Sequence, residues 1–194
     1  MKQAKVQTSL PFWLVVLFLT GLGLQKKYLL LFSAAAIHEL GHAAAIRLCR
    51  GEIEQIRLIP GGLDIRYRQR HYSYTADLLI AAAGPLANLA AAILLRTIRA
   101  DCDYFIGLHL ILCFFNLLPL YPLDGGMVLC SLMNYFAPVH GENLFYLLSG
   151  TLSFLLFAIA CGACFYNLRA LWSVLVFGYI LYQQKLRLMY KEAM

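Results

Sequence analysis

The sequence predicts an all-α polytopic membrane protein, and three features of its composition lead to this fold class. Hydrophobic residues make up 61% of the 194 positions, well above the share of about 45–50% that is usual in soluble domains. Charged residues make up only 13% and stand in short clusters. The apolar runs between these clusters approach the roughly 20 residues that a helix needs to cross the hydrocarbon core. A soluble fold of this length could not bury so much apolar surface.

Six apolar segments are predicted to cross the membrane, each bounded by charged or turn-forming residues. They lie near 10–24, 28–47, 74–95, 104–136, 144–165 and 168–183, and the fourth is interrupted. Six crossings put both termini on one side. If that side is the cytoplasm, it receives the larger share of the 16 lysine and arginine residues, as the positive-inside rule requires. The sequence therefore predicts an integral, multi-pass protein with both termini in the cytoplasm.

The connection between the second and third spans is predicted to form a small β-hairpin at the membrane surface. Leu63, Ile65 and Tyr67 alternate with polar residues, and a Pro-Gly-Gly turn at 60–62 precedes them. Alternation with a period of two indicates a strand. Two interpretations stay open: an amphipathic loop that lies on the lipid headgroups, or a strand from 52–67 that pairs with an extended substrate.

A pair of histidines with an adjacent glutamate lies inside the second predicted span, where the chain reads HELGH at 38–42. On a helix, His38 and His42 share one face one turn apart, so both imidazoles can bind one zinc ion. Glu39 leans toward the same metal without entering its coordination sphere, and it can take a proton from the metal's water. A polar patch between helices is the alternative, but such residues are costly in hydrocarbon unless something pairs them. The spacing favours a metal hydrolase.

A third metal ligand is expected, because a catalytic zinc usually takes three protein ligands. His109, Asp124 and His140 are the candidates at membrane depth. Asp124 has the best context, since it lies between NLLPLYPL at 116–123 and the glycine pair at 125–126. Two prolines and two glycines cannot continue a helix, so the fourth span must open in the membrane, where irregular backbone is tolerated only in protein or beside water. The alternative for Asp124 is a helix-capping role.

These motifs resemble those of a known family. HELGH at 38–42 and NLLPLYPLDGG at 116–126 are similar to the two zinc motifs of the site-2 proteases, which are intramembrane zinc metalloproteases. GPLAN at 84–88 resembles the GPxxN element of the same family. Asn88 is expected to hold helices together, because the small residues around it allow close backbone approach. In span count and in the placement of HELGH in the second span, the chain resembles the bacterial stage IV sporulation FB type, whose members act on sporulation sigma-factor precursors.

The resemblance implies roles for individual residues of the site, with Zn²⁺ as the cofactor. It implies that the metal ligands are His38, His42 and Asp124. It implies that Glu39 is the general base and that Asn116 lies close enough to stabilise the developing oxyanion. Taken without the family, Asn116 equally suits a hydrogen bond to a carbonyl freed at the helix break.

The resemblance also implies how the chain is organised. We expect one intramembrane metalloprotease domain over 1–194, with a catalytic core near 28–136 and accessory spans near 144–183. Sporulation-type relatives often carry a CBS domain, and the envelope-stress branch carries a PDZ-like insertion. Neither a CBS nor a PDZ domain is predicted in this sequence.

The predicted function is hydrolysis of a peptide bond in or near a transmembrane segment of a membrane-tethered protein. The branch that this chain resembles suggests a sporulation sigma-factor precursor as substrate and the bacterial cytoplasmic membrane as location. The expected partners are this substrate, the lipid bilayer and an inhibitory membrane protein. Nucleic acid is not a predicted partner, because the net charge of +6 is what basic cytoplasmic loops give a membrane protein.

Two other functions fit parts of the sequence. A membrane metal transporter would also place histidine and aspartate in the membrane. Such proteins often show inverted repeats and several polar residues spaced along the transport path. We find neither pattern in the sequence. A non-catalytic metal-binding scaffold would keep its function when Glu39 is replaced, so a single substitution separates it from an enzyme.

Overall fold

The protein, seen in a computed structural model that describes residues 5–59, 62–69, 73–98 and 102–192, is mostly helical with one small sheet. Its contacts divide it into two compact units, Met1–Asn116 and Leu117–Met194. The elements of the first unit are β1 Lys5–Thr8, α1 Leu10–Gly21, α2 Gln25–Leu48, β2 Glu52–Ile59, β3 Gly62–Arg68, α3 Tyr74–Ile98 and α4 Asp103–Asn116. Those of the second unit are α5 Asp124–Phe136, α6 Gly141–Tyr166 and α7 Leu171–Glu192, with a 3₁₀ turn Leu168–Ala170 before α7.

Three helices among the described residues are long and apolar enough to cross a membrane: α2, α3 and, within α6, Gly141–Cys164. The apolar helices α1 and α4 are shorter. Each of the six predicted segments is helical, the fourth as the two helices α4 and α5 with a non-helical stretch at 117–123 between them. That all six cross the bilayer, and that α4 and α5 form one interrupted span, stay predictions.

The predicted hairpin is present as β2 and β3, which pair in antiparallel register with Ile56 opposite Ile65. Its turn at 60–61 lies outside the described residues. The sheet has a third strand that the sequence analysis did not predict, because β1 pairs in parallel with β2 from Lys5 beside Gln55 to Thr8 beside Leu58. A strand of four residues is too short to show the alternation on which the prediction depended. The sheet is therefore three-stranded.

Small residues bring α2 and α3 of the first unit close together. A Cβ added to Gly41 would lie only 2.7 Å from the Cβ of Ala87 and 3.1 Å from the carbonyl carbon of Ala83. Membrane helices use such positions because small side chains let the backbones approach. The buried side chains of Ile46 and Ile80 pack beside this contact near the sheet end of the helices. The close approach sets α3 against the face of α2 that carries the histidines.

In the second unit, the first turn of α5 packs on the backbone of the stretch that precedes it. A Cβ on Gly125 would meet the backbone of Leu117 and lie 2.6 Å from the Leu118 oxygen. A Cβ on Gly126 would lie 2.5 Å from the carbonyl of Leu120. Only glycine fits at both positions, so the glycine pair fixes how the 117–123 stretch folds against α5.

Candidate metal centre

The two histidines of the HELGH motif lie side by side on α2 of the first unit. Their Nε2 atoms are 3.2 Å apart, and their rings meet edge to face with centroids 4.8 Å apart. His38 is buried and His42 is half-buried. Two imidazole nitrogens directed at one point are the start of a transition-metal site.

The orientation of His42 is fixed by the neighbouring helix. Its Nδ1 lies 2.7 Å from the backbone carbonyl oxygen of Ile80 on α3. A carbonyl can only accept, so Nδ1 carries the proton and donates it. The Nε2 atom of His42 is therefore left with its lone pair, as a metal ligand requires.

His38 is held by a second set of buried contacts. Its Nδ1 lies 3.1 Å from the side-chain amide nitrogen of Asn88 on α3, and the amide oxygen of Asn88 lies 2.9 Å from Nδ1 of His109 on α4. Asn88 and His109 are both completely buried. The expectation that Asn88 holds helices together is confirmed, and it also orients the His38 ring. His109, which the sequence offered as a metal ligand, lies on the far side of Asn88.

A glycine of α3 faces both rings. A Cβ added to Gly84 would collide with Nε2 of His42 and lie 2.7 Å from Nε2 of His38. Gly84 itself is buried. The absence of a side chain at Gly84 keeps clear the space beside the two nitrogens.

Glu39 and Asn116 are the other two predicted functional residues of the first unit. Glu39 lies on α2 beside His38 and is half-buried. Asn116 is the last residue of α4, and its side-chain amide donates to the carbonyl oxygen of Leu112 at 2.9 Å. This bond goes to a carbonyl one turn back inside α4, so neither the oxyanion role nor a bond to a carbonyl freed at the helix break is tested by it.

Asp124 belongs to the second unit, where it is the first residue of α5. The N-cap of that helix is Leu123, so Asp124 is not the capping residue that the alternative interpretation required. A carboxylate in the first turn is favoured by the helix dipole. His140, the remaining candidate, is exposed at the N-cap of α6.

The donor set fits zinc. His38, His42 and Asp124 offer two imidazole nitrogens and one carboxylate oxygen, a set that catalytic zinc sites use while they keep a position open for water. The clear space at Gly84 beside both Nε2 atoms and the hydrogen bond between His42 Nδ1 and the Ile80 carbonyl suit the same ion. The sequence analysis did not predict the bond between His42 and the Ile80 carbonyl or the bond between His109 and Asn88. The signal for the second bond was a histidine in an apolar span.

Comparison with known proteins agrees with this chemistry. Residues 27–102 match the model of Peptidase family M50. The chain is 28% identical over 147 residues to a zinc metalloprotease of Methanocaldococcus jannaschii, covering 66% of this chain and 42% of that protein. It is 31% identical over 146 residues to Stage IV sporulation protein FB of Bacillus subtilis, covering 69% of this chain and 51% of that protein. The matches thus span about half the length of these relatives or less.

The fold has a counterpart among solved structures. The site-2 protease from Methanocaldococcus jannaschii superposes with a TM-score of 0.66 at 21% sequence identity. The match covers 95% of this chain and 92% of that structure. At this level of identity the likeness establishes the fold alone.

Proposed function

Because this chain carries a Peptidase family M50 domain, the domain of the site-2 proteases, we propose that it is an intramembrane zinc metalloprotease. Its reaction is hydrolysis of a peptide bond in or near a transmembrane segment of a membrane-tethered protein. The single observation that carries the proposal is the pair of Nε2 atoms 3.2 Å apart on α2, with Glu39 next to the first histidine. A hydrolase needs this arrangement of ligands and base.

The metal ligands in this proposal are His38, His42 and Asp124. His42 is supported by its hydrogen bond to the Ile80 carbonyl, which holds the ring as outer partners hold metal-bound histidines. His38 is supported by its Nε2 atom, 3.2 Å from that of His42, and by the buried Asn88 amide beside its Nδ1. Asp124 is supported by its position in the first turn of α5, after a stretch in which two prolines prevent a helix. A catalytic zinc with three protein ligands keeps one position for water.

Glu39 and Asn116 have separate roles in the proposed reaction. When bound, zinc polarises the carbonyl under attack and lowers the pKa of water to about 7. Glu39 accepts a proton from the attacking water and later returns it to the leaving amine. Asn116 has a second amide hydrogen besides the one given to Leu112, and this hydrogen is suited to donate to the developing oxyanion.

The membrane sets the remaining conditions of the proposal. The substrate helix must unwind locally, because its carbonyls are otherwise locked in hydrogen bonds. A strand of the 52–67 hairpin would pair with the unwound segment, and the 117–123 stretch would line a path for water. The chain would have six spans and cytoplasmic termini, and a membrane partner would restrain it until cleavage is needed.

The similarity to Stage IV sporulation protein FB makes a membrane-tethered sporulation sigma-factor precursor the first substrate to test. The precursor is coexpressed with wild-type protein or with Glu39→Gln, and the product size is read. Only wild type is expected to cleave, and purified Glu39→Gln should keep its zinc. The control is Asp103→Asn, which changes an exposed carboxylate that pairs with Arg96 and should cleave normally.

The outcomes separate the rival functions. Cleavage by purified Glu39→Gln at the wild-type rate would contradict the role of Glu39 and the proposal with it. Zinc uptake into vesicles that contain the protein, without cleavage of any tethered substrate, would indicate a transporter.

A further inference from the structure

A polar cluster in the second unit connects three parts of an otherwise apolar region. Gln184 of α7 donates from Nε2 toward Oγ of Ser149 at 2.8 Å and Oγ of Ser153 at 2.9 Å, both on α6. The same nitrogen lies 3.1 Å from the carbonyl oxygen of Tyr121, in the stretch before α5. Both serines are completely buried, and Gln184 is 5% exposed. The proposed chemistry does not use any of these side chains.

The cluster satisfies both backbone groups of Tyr121. The N–H of Tyr121 donates to Oγ of Ser149 at 2.9 Å. Its carbonyl oxygen lies 3.1 Å from Gln184 Nε2 and shares the two hydrogens of that amide with the two serines. A residue in a non-helical stretch has no helical partners for these groups, and in an apolar region unsatisfied backbone is costly. The side chains of α6 and α7 supply the missing partners.

The next turn of α7 holds the side chain of the same tyrosine. The guanidinium of Arg187 lies 5.5 Å from the ring centroid of Tyr121 and 5.9 Å from that of Tyr146 on α6, within the range of a cation–π contact. Gln184 and Arg187 are three residues apart and so share one face of the helix. One face of α7 therefore contacts both the backbone and the ring of Tyr121.

Tyr121 is mechanically coupled to the start of α5. The N–H of Leu123 donates to the Leu120 carbonyl at 2.7 Å. A Cβ on Gly126 would lie 2.9 Å from the backbone nitrogen of Tyr121, so the first turn of α5 packs directly on this residue. A shift of Tyr121 would therefore move the turn that begins with Asp124.

We propose that Ser149 of α6 and Gln184 of α7 are positioning residues for Asp124. They fix Tyr121, and Tyr121 fixes the first turn of α5 and the carboxylate it carries. The proposal rests on the proposed function, in which Asp124 binds zinc. It gives the last two helices a direct part in building the metal site.

The two serines provide a matched test. Both are buried on α6 one turn apart, and both accept from Gln184, but only Ser149 contacts Tyr121. If the cluster were only a contact between helices, Ser149→Ala and Ser153→Ala would act alike. We expect Ser149→Ala to raise the zinc dissociation constant about 10- to 100-fold, as loss of outer support does, and Ser153→Ala to stay close to wild type.

The measurements are zinc affinity by chelator competition and hydrogen exchange of the Tyr121 amide in purified protein. Ser149→Ala should accelerate exchange at that amide, and Gln184→Leu should weaken zinc binding similarly. The neighbouring Gln183→Leu is the control for α7, since Gln183 donates to Tyr179 on its own helix. It should change neither measurement. Should Gln184→Leu fail to fold, the two serine variants carry the test alone.

Equal zinc affinity in Ser149→Ala and Ser153→Ala, or unchanged exchange at Tyr121 in Ser149→Ala, would overturn the proposal. Wild-type protein that does not bind zinc at all would instead refute the proposed function. The two failures are therefore distinguishable in one set of samples.

Discussion

Replacing Gly84 with alanine is expected to weaken zinc binding while the helices remain formed. The new methyl group would collide with Nε2 of His42 and lie 2.7 Å from Nε2 of His38. Neither ring can swing aside freely, because Ile80 holds one by a 2.7 Å hydrogen bond and Asn88 contacts the other at 3.1 Å. The methyl would therefore stand where the metal has to bind.

The size of the effect follows from two opposing contributions. Overpacking a well-packed site by one methyl costs about 1–3 kcal/mol. Alanine in place of glycine inside a helix returns roughly 0.5–1 kcal/mol by restricting the unfolded chain. The free energy of unfolding should therefore fall by about 0–2.5 kcal/mol. A clash of the same size with the bound ion, about 1–3 kcal/mol, corresponds to a roughly 5- to 150-fold weaker zinc dissociation constant.

Zinc affinity in detergent, measured by chelator competition, tests this prediction, with thermal unfolding measured on the same samples. Gly107→Ala is the matched control, because Gly107 lies in α4 and a Cβ there would meet nothing within 4 Å. It should leave zinc binding unchanged. Wild-type zinc affinity in Gly84→Ala would refute the placement of the metal beside the two Nε2 atoms.

Three further substitutions test residues around the site. Asn88→Ala should weaken zinc binding about 10- to 100-fold by releasing the His38 ring, and His109→Phe should have a smaller effect of the same sign; unchanged zinc affinity in Asn88→Ala would contradict the orienting role. Asn116→Ala should lower kcat about 100- to 1,000-fold with KM unchanged if its amide serves the oxyanion. Cleavage kinetics that stay at the wild-type level would assign Asn116 to its bond with Leu112 alone.

The helices could be predicted because their signal is local. Apolar runs between charge clusters placed the six helical segments, and the prolines at 119 and 122 placed the break before Asp124. The strand β1 could not be predicted, since its partner Gln55 lies 50 residues from Lys5 and a four-residue strand gives no periodic signal.

The same distinction applies to the metal centre. His38, Glu39 and His42 follow from helical spacing alone. The contacts that orient the rings join residues 38 and 50 positions apart, His42 with Ile80 and His38 with Asn88. No local pattern encodes such pairs, because they depend on how closely α2 and α3 pack at the glycines between them.

X-ray absorption at the zinc edge, on purified wild-type protein and Asp124→Ala, tests the central claim most directly. The account predicts a single zinc bound by two imidazoles and oxygen donors in wild type, and a lost oxygen donor with weaker binding in Asp124→Ala. Sulfur donors, or the same spectrum and affinity in both proteins, would contradict it.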